Sequence, residues 1–371
     1  MTSRPWVTVV GNGVAGYACV RALAAGGAHV TLIGPGLPCD RPPLSKRALL
    51  AGRPPYLASA ADLVQHGIVH VDGWVHGVDV DRRELRIRAS SGSETTAMFD
   101  QLVWSTGLRT VRPPVPGMEL AGENAVPDGL ERLAPALVAR GRDVVVIGAG
   151  LIGTETAATL ATRHRVTLLE RGVRPLERFH PAASSAAHHV LTTLGVRFAG
   201  SCAVERVERR AGGGRTVRLA GAPAIRADVV IAAAGVAPTL PAAIASGGYA
   251  DTDERLAVLE REGIWVCGDL ARFPHPRYGR IAVPHWDNAR AGGAHVAAAI
   301  LGACEPFVRE PYWFSDIGPL RIQQVGRDAV VCEWRDRDGL TVGHDASGRA
   351  ACVLLMNAPR RLGEARRLLA A

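Results

Sequence analysis

"WVTVVGNGVAGYACVRALAAGGAHVTLIG", residues 6–34, is the stretch that decides the fold. An apolar run ends in Gly11, Gly13 and Gly16, a small-residue helix is predicted next, and a second apolar run, residues 29–33, closes the unit. This order is that of a dinucleotide-binding βαβ unit, whose glycines allow a tight turn and let the backbone approach a pyrophosphate at a helix N-terminus. One such motif is weak evidence, because a glycine-rich turn in a small-residue sequence gives the same letters.

A second stretch, "DVVVIGAGLIGTETAATLATRHRVTLLERG" at residues 143–172, repeats the pattern with Gly148, Gly150 and Gly153. Aligning the two glycine triplets superposes helix on helix and VTLLE on VTLIG, which indicates an internal duplication. Two such units predict two dinucleotide sites in one chain. A flavin and a nicotinamide that exchange hydride are the simplest pair of occupants.

The two copies differ where their second strand ends. The later copy ends in Glu170, whose carboxylate is placed to accept hydrogen bonds from a ribose diol and to repel a 2′-phosphate, so NADH is favoured over NADPH. Arg171 and Arg174 are close by and favour the phosphate. The first copy has "GPG" at residues 34–36 where an acid would be expected. Its ribose is therefore expected to be held by backbone or water.

Length and charge narrow the functional classes. A chain of 371 residues is expected to form two or three domains. A net charge of +8 suits nucleic acid, an anionic membrane or an acidic protein partner, but only 5% of the residues are aromatic. Because the arginines are also scattered along the chain, we do not expect nucleic-acid binding.

Cysteine spacing and hydropathy bear on location and metals. The seven cysteines are far apart and form no CxxC pair, so we expect reduced thiols and no metal site. No stretch is long enough to span a membrane, and Met1 is followed almost directly by the apolar run of residues 6–10, so we expect no membrane association and no signal peptide. These features predict a cytoplasmic protein.

"DRPPLSK", residues 40–46, ends in the only lysine of the chain, since 42 of the 43 Lys and Arg residues are Arg. An ammonium is a compact charge that can lose its proton when buried, whereas a guanidinium is a planar fork that stays charged. A site that needs one small donor would keep a lysine. The alternative is an accident of codon usage.

Two further strand ends, "LVWSTG" at residues 102–107 and "GIWVCGD" at residues 263–269, complete a set of motifs that resembles the flavoprotein reductases of the glutathione reductase superfamily. The resemblance implies that Thr106 and Gly107 mark the crossing from a flavin domain to a nicotinamide domain. It also implies that Asp269 brings a carboxylate to the ribityl chain of FAD. A buried aspartate that caps a helix is the alternative for Asp269.

Within that superfamily, "DRPPLSKRALLAG" is similar to the oxygenase-coupled ferredoxin reductases, in which the lysine of this turn sits beside the flavin N5. The resemblance implies that Lys46 stabilises the negative charge of reduced flavin and leaves room for hydride to arrive. A related branch, the NADH oxidases and coenzyme A disulfide reductases, carries a redox cysteine at this turn. The lysine argues against thiol chemistry, and Cys39 is expected to be a packing residue.

The resemblance runs nearly end to end. "VPHWDNARAGGAHVAAAILG", residues 283–302, is similar to a segment that places an aromatic, here Trp286, against the flavin and continues as a helix. "EPYWFSDIGPLRIQQVGR", residues 310–327, resembles the start of the C-terminal domain, whose aromatic residues are expected to fill the core. Glu155 corresponds to a carboxylate near the nicotinamide, and a glutamate on a helix surface is the alternative.

Three departures from the family pattern predict a modified rim around the flavin. The loop of residues 34–40 is shorter and lacks its acid. "ENAVPDGLERL", residues 123–133, lacks the Leu-Arg-Thr present in relatives, and Pro284 stands where many relatives have a glutamate.

The predicted fold class is α/β, with two Rossmann-like dinucleotide-binding domains of three-layer ββα type, one for FAD and one for NAD, and a small α/β C-terminal domain. Residues 1–107 and 236–302 are predicted to form the FAD domain, residues 108–235 the NAD domain and residues 303–371 the C-terminal domain. In the C-terminal domain, strands are expected near residues 320–325 and 329–333. Residues 208–216 are predicted to be a hairpin loop.

Lys46 and Glu155 are the expected catalytic residues, and no metal ligands are expected. The residues expected to bind FAD or NADH are Gly11, Gly13, Val14, Ala15, Gly16, Arg41, Lys46, Val75, Thr106, Gly107, Gly148, Gly150, Leu151, Ile152, Gly153, Glu170, Arg178, Gly235, Asp269 and Trp286.

The predicted reaction is hydride transfer from NADH to FAD, followed by delivery of single electrons to a [2Fe-2S] ferredoxin that serves an oxygenase or a cytochrome P450. An acidic ferredoxin would be attracted transiently by the positive chain, with Arg290 and Arg309 as candidate contacts, and the protein would be a monomer or a homodimer. One alternative is an oxidoreductase that uses FAD and NADH on a small organic substrate or oxygen. Another is a flavoprotein that has lost turnover and serves as a binding module.

Overall fold

The computed structural model describes residues 5–123 and 127–370. The first four residues, and residues 124–126 of the departure at 123–133, lie outside the described part of the chain. The strands are β1 (Trp6–Val10), β2 (His29–Ile33), β3 (Ile68–Val71), β4 (Gly73–Asp79), β5 (Glu84–Ala89), β6 (Glu94–Met98), β7 (Gln101–Trp104), β8 (Leu108–Thr110), β9 (Asp143–Ile147), β10 (Arg165–Leu169), β11 (Arg197–Ala199), β12 (Val204–Arg209), β13 (Arg215–Leu219), β14 (Ala222–Ala227), β15 (Val229–Ala232), β16 (Val236–Pro238), β17 (Ala250–Asp251), β18 (Ile264–Val266), β19 (Ala271–His275), β20 (Gly279–Ala282), β21 (Tyr312–Ile317), β22 (Leu320–Gly326), β23 (Glu333–Arg337), β24 (Leu340–His344) and β25 (Ala350–Met356).

The α-helices are α1 (Val14–Ala25), α2 (Arg47–Ala51), α3 (Ala60–Gln65), α4 (Pro127–Leu137), α5 (Leu151–Ala161), α6 (Pro181–Thr193), α7 (Trp286–Ile300) and α8 (Leu362–Ala370). The chain forms two compact units. Unit 1 contains Met1–Asp40, Tyr56–Arg109 and Ala237–Trp313, and unit 2 contains Arg41–Pro55, Thr110–Val236 and Phe314–Ala371. The predicted division into three domains stays a prediction.

Unit 1 is built on a parallel sheet with the strand order β18-β7-β1-β2-β3. Its central strand β1 is buried from Val7 to Val10 and consists there of three valines and Thr8, as expected of a parallel strand that is covered on both faces. Helix α1 follows β1 and packs against α7. A three-stranded antiparallel sheet, β4-β5-β6, belongs to the same unit.

Unit 2 repeats the design with the parallel sheet β11-β10-β9-β15, in which helix α5 follows β9. Strands β12 and β13 form an antiparallel hairpin, which confirms the loop predicted at residues 208–216. The C-terminal part is an antiparallel sheet with the order β21-β22-β25-β24-β23, and α8 packs on β25 and β22. The short helix α2 packs on α5 and so brings the "LSK" turn, residues 44–46, to that helix.

The α/β prediction, with two duplicated parallel sheets and a C-terminal α/β part, is confirmed. One strand was wrongly placed. Residues 320–326 form the first predicted C-terminal strand, but Asp328–Val330 is a 3-10 turn and the next strand begins only at Glu333. The Val331 N–H donates to the Asp328 carbonyl at 3.0 Å, so the apolar run "AVV" closes a turn instead of joining the sheet.

Candidate active site

The first glycine turn, residues 11–16, leaves β1 and enters α1. Gly11 has a φ of 108°, and a Cβ there would lie 2.6 Å from the Ser105 backbone carbon, while a Cβ on Gly16 would strike the Gly11 carbonyl. The Ser105 hydroxyl lies 3.0 Å from both the Val10 and Gly11 carbonyl oxygens and donates to them. A Cβ on Gly13 would meet nothing within 4 Å. The chain thus fills the space at the outer two glycines and leaves open space at the middle one.

The second glycine turn, residues 148–153, has the same geometry. Gly148 has a φ of 103°, and a Cβ there would lie 2.5 Å from the Ala233 carbonyl oxygen. Gly150 caps α5 with ψ −170°, against −172° for Gly13 at the start of α1, and a Cβ on it would also meet nothing within 4 Å. Both turns therefore fit a pyrophosphate at a helix N-terminus. The residues that follow the middle glycines in the first turns of the two helices are Val14, Ala15, Leu151 and Ile152.

Glu170 ties the end of β10 back to the second glycine turn. Its Oε2 accepts a hydrogen bond from the Ala149 N–H at 2.6 Å, and its Oε1 accepts one from the Gly172 N–H at 2.9 Å. A second carboxylate, Glu177, accepts from the Val173 N–H at 3.3 Å, and its Oε2 would obstruct a Cβ on Gly172. Two carboxylates thus flank this loop. Three arginines around it are exposed: Arg171, Arg174 and Arg178.

Lys46 and Glu155 meet where α2 packs on α5. The Lys46 Nζ lies 3.0 Å from the Glu155 Oε1, and Glu155 is only 6% exposed. The Ser45 hydroxyl donates to Oε2 at 2.5 Å, the Ser315 hydroxyl donates to Oε1 at 2.6 Å, and the Asp316 N–H donates to Oε1 at 3.2 Å. Four donors therefore hold one buried carboxylate. The alternative that Glu155 is a helix-surface glutamate is wrong.

The Lys46 ammonium has two further neighbours besides the carboxylate. It donates to the Pro42 carbonyl at 3.3 Å and lies 6.0 Å from the centroid of the Phe314 ring. Phe314 is half-buried, with the Arg321 guanidinium 4.9 Å from its centroid, so the expectation that it fills the core is wrong for this residue. Tyr312 is buried, as expected. The lysine is thus held in a fixed position, and 21% of its side chain is exposed.

Asp269 is brought to the first glycine turn within unit 1. It lies in the 3-10 turn Gly268–Leu270, directly after β18, and is half-buried. A Cβ on Gly268 would lie 3.0 Å from the Ala15 Cβ, and a Cβ on Gly293 of α7 would strike the Ala15 carbonyl. These close approaches join the Asp269 turn, α7 and the N-terminus of α1 in one place, as two halves of a single FAD site would require.

Thr106 and the remaining predicted residues are spread over both units. The Thr106 Oγ1 accepts from the Trp104 indole N–H at 3.0 Å and donates to the Thr239 carbonyl at 3.4 Å. Arg41 precedes the 3-10 turn Pro42–Ser45, and Val75 lies in β4. Gly107 and Gly235 both have positive φ, 72° and 124°.

Trp286, the first residue of α7, is anchored at one wall of a groove. Its indole N–H donates to the Asp40 Oδ1 at 2.9 Å, and the Arg290 guanidinium lies 5.6 Å from its ring centroid. The groove has a volume of about 930 Å³, and Arg21, Arg290 and Arg309 lie along it with apolar residues between them. The groove therefore has a mixed lining of apolar side chains and arginines.

Several hydrogen-bond partners of the predicted site residues could not be predicted from the sequence. Ser315 lies 160 positions from Glu155, and no local pattern connects the two residues. Ser45 directly precedes Lys46, so its position in the turn was the available signal. Asp40 begins the segment at residues 40–46, and only the fold shows that it accepts from the Trp286 indole. Glu177 lies outside every stretch quoted in the sequence analysis, and its hydrogen bond from the Val173 N–H is seen only in the structure.

All seven cysteines are free thiols, and Cys39 is buried. Among residues 5–123 and 127–370, no group of three or more His, Cys, Asp or Glu side chains could hold a metal ion. No helix in this part of the chain is both long and apolar enough to cross a membrane.

Residues 5–293 match the pyridine nucleotide-disulphide oxidoreductase family. The ferredoxin--NAD(+) reductase component of the anthranilate 1,2-dioxygenase system of Burkholderia cepacia is 32% identical, with 100% of this chain and 95% of that protein covered. The ferredoxin reductase component of the chlorobenzene dioxygenase of Cupriavidus sp. (strain PS12) is 33% identical, with 98% and 92% covered.

A solved structure, the ferredoxin reductase for the CYP199A2 system from Rhodopseudomonas palustris, superposes with a TM-score of 0.85 at 26% identity and covers 95% of this chain and 91% of that one. The family match spans well over half of the sequence and includes both glycine turns. The chain therefore belongs to the pyridine nucleotide-disulphide oxidoreductase family, whose cofactors are FAD and NAD(H).

Proposed function

We propose that this protein is an NADH-dependent ferredoxin reductase, which moves hydride from NADH to FAD and passes single electrons to a [2Fe-2S] ferredoxin of an oxygenase or cytochrome P450 system. The observation that carries the proposal is the pair of glycine turns, which share one geometry and each leave open space at the middle glycine. The names of the relatives support the acceptor. Flavin, when bound, accepts a hydride and releases electrons singly.

NADH is the proposed donor because of the carboxylates at the second glycine turn. Both Glu170 oxygens are fixed by backbone N–H groups, and Glu177 lies beside the same loop. A 2′-phosphate there would face two negative charges, whereas a ribose diol can donate hydrogen bonds to Glu170. Arg171 and Arg174 could attract a 2′-phosphate, but they are exposed. Because salt screens exposed charges more than buried ones, their attraction is weakened more than the repulsion from the half-buried Glu170.

Lys46 and Glu155 are the proposed catalytic residues. A flexible lysine could leave the position that hydride transfer needs, but here the buried carboxylate holds the ammonium at 3.0 Å. The carboxylate is in turn held by Ser45, Ser315 and the Asp316 N–H. Preorganised charge of this kind stabilises developing negative charge without moving at the moment of reaction.

We propose the groove beside Trp286 as the surface that meets an acidic ferredoxin. Arg21, Arg290 and Arg309 lie along it, although Arg309 is already paired with the Asp287 carboxylate at 2.5 Å, and the whole chain carries a net charge of +8. Such a surface steers an acidic partner and raises its association rate at low salt. The same proposal places the protein in the cytoplasm, as a monomer or a homodimer, because free thiols are typical of that reducing compartment.

The test is anaerobic stopped-flow mixing of the purified protein with NADH, followed by ferredoxins encoded near its gene. The expected result is a yellow protein whose flavin bleaches with NADH and regains its colour as a ferredoxin is reduced. A colourless protein that takes up no FAD would contradict the proposal. So would rapid turnover on a small organic substrate when every such ferredoxin fails, which would support the alternative oxidoreductase.

A further inference from the structure

The first βαβ unit lacks an acid at the end of β2, and the reason lies in the glycine turn. In the alignment of the two copies, Gly34 corresponds to Glu170 and Gly36 to Gly172. A Cβ on Gly34 would lie 2.6 Å from the Asn12 Cγ. The Asn12 side chain therefore occupies the space that an acidic side chain at position 34 would need.

Asn12 also fixes the loop that replaces the acid. Its Nδ2 donates to the Pro35 carbonyl at 2.8 Å and to the Gly36 carbonyl at 2.9 Å. Gly36 adopts a φ of 59°, which glycine tolerates best. The loop is thus held in one shape by a side chain of the glycine turn.

A carboxylate nevertheless reaches this loop from the neighbouring strand. The Gly36 N–H donates to the Asp72 Oδ1 at 2.9 Å, and Asp72 directly follows β3, which pairs in parallel with β2. In the second copy the equivalent N–H, that of Gly172, donates to the Glu170 Oε1 at the same 2.9 Å. Both copies therefore present a carboxylate to the same backbone group, one from the second strand and one from the third.

The Asp72 carboxylate is positioned and charged. The Ser90 hydroxyl donates to its Oδ1 at 2.6 Å, and the Ser90 N–H donates to the Asp72 carbonyl at 3.0 Å. The hydrogen bond from Ser90, followed by that from Gly36, lowers the pKa of Asp72, so the residue is an anion at neutral pH. Both of these bonds to the carboxylate end on Oδ1, and the residue is exposed at the carboxyl edge of the sheet, where dinucleotides bind.

We propose that Asp72 takes the place of the missing acid and accepts hydrogen bonds from the ribose diol of the adenosine half of FAD. This inference rests on the proposed function, because it assigns FAD to the first glycine turn. It changes the sequence expectation that backbone or water alone holds this ribose.

The test is fluorescence titration of the apoprotein with FAD for the wild type, Asp72→Asn and Asp79→Asn. The asparagine at position 72 keeps an acceptor for the Gly36 N–H but loses the charge. Because this variant loses a hydrogen bond from the ribose to a charged group, we expect it to bind FAD about 10- to 100-fold more weakly than the wild type. Asp79 is a matched control, since its Oδ1 also accepts a backbone N–H, that of Arg82 at 2.9 Å, and it should bind FAD like the wild type.

A second titration uses FAD that lacks the adenosine 2′-hydroxyl. If Asp72 binds the diol, the wild type should bind the analogue several-fold more weakly than it binds FAD. The Asp72→Asn variant should bind the analogue and FAD with equal affinity. Unchanged FAD affinity in Asp72→Asn would overturn the inference, as would equal losses for the analogue in both proteins, which would mean that Asp72 only supports the loop. A wild-type apoprotein that binds no FAD would instead remove the proposed function itself.

Discussion

Replacing Lys46 with methionine should slow the reduction of bound flavin by NADH while FAD stays bound. The change removes the cation 3.0 Å from the Glu155 Oε1 and keeps a side chain of similar length. Loss of one preorganised donor typically costs about 10²- to 10³-fold in rate, and we expect a loss of that order in single-turnover bleaching of the flavin.

The structure also sets the cost of this change in folding stability. Removing one partner of a buried ion pair costs about 3–5 kcal/mol when the other charge is left alone. Here Ser45, Ser315 and the Asp316 N–H still donate to Glu155, so we expect a loss nearer that of one charged hydrogen bond, about 1.5–3 kcal/mol. Urea unfolding measures this cost, which should shrink in a Glu155→Gln background.

Arg47→Met is the matched control, because Arg47 is the adjacent cation and is exposed. It should leave both the bleaching rate and the unfolding free energy near the wild-type values. A Lys46→Met protein that bleaches at the wild-type rate would refute the catalytic role of this lysine. Equal slowing in both variants would show a general effect of charge instead.

Three further predictions concern the donor, the acceptor and the glycine turns. NADH should exceed NADPH in kcat/KM, and Glu170→Ala should narrow the ratio; equal use of both by the wild type would assign the selectivity to the nearby arginines. Arg290→Glu should slow ferredoxin reduction but not flavin bleaching, whereas the control Arg82→Glu should slow neither. The rate at which the wild type reduces ferredoxin should fall as salt rises past about 0.1 M, where the Debye length is about 10 Å. A rate that does not change with salt would contradict docking by charge. Gly13→Ala should fold normally and bind FAD weakly, because its methyl would occupy open space, whereas Gly11→Ala should lose stability in thermal unfolding, because its φ is 108° and its methyl would clash; equal melting temperatures would contradict these assignments.

The parts of the fold that local sequence dictates could be predicted. Gly11 and Gly148 mark the strand ends because each position needs a positive φ and a close approach of the backbone. Glycine meets both requirements best, so a glycine in the sequence indicates them directly. The C-terminal strand predicted at residues 329–333 was wrong, because that strand begins only at Glu333. An apolar run fits a turn or a strand equally well until its hydrogen-bonding neighbour is known.

The site was less predictable than the fold because its contacts join distant segments. The family resemblance implied a role for Glu155, but the hydrogen bond that its buried carboxylate accepts from Ser315, which β21 supplies, could not be predicted. The sequence shows that the acid near Gly36 is missing, but it does not show that Asp72, at the end of the neighbouring strand β3, contacts this loop. Side-chain pairs across a sheet have no fixed spacing in the sequence.

Single-turnover mixing of the holoprotein with NADH deuterated at the transferred position of the nicotinamide tests hydride transfer between the two dinucleotides most directly. The predicted result is that the flavin bleaches completely under anaerobic conditions, and that it bleaches more slowly with the deuterated donor than with ordinary NADH. A flavin that stays oxidised in excess NADH would contradict the claim that the two glycine turns serve a donor and an acceptor.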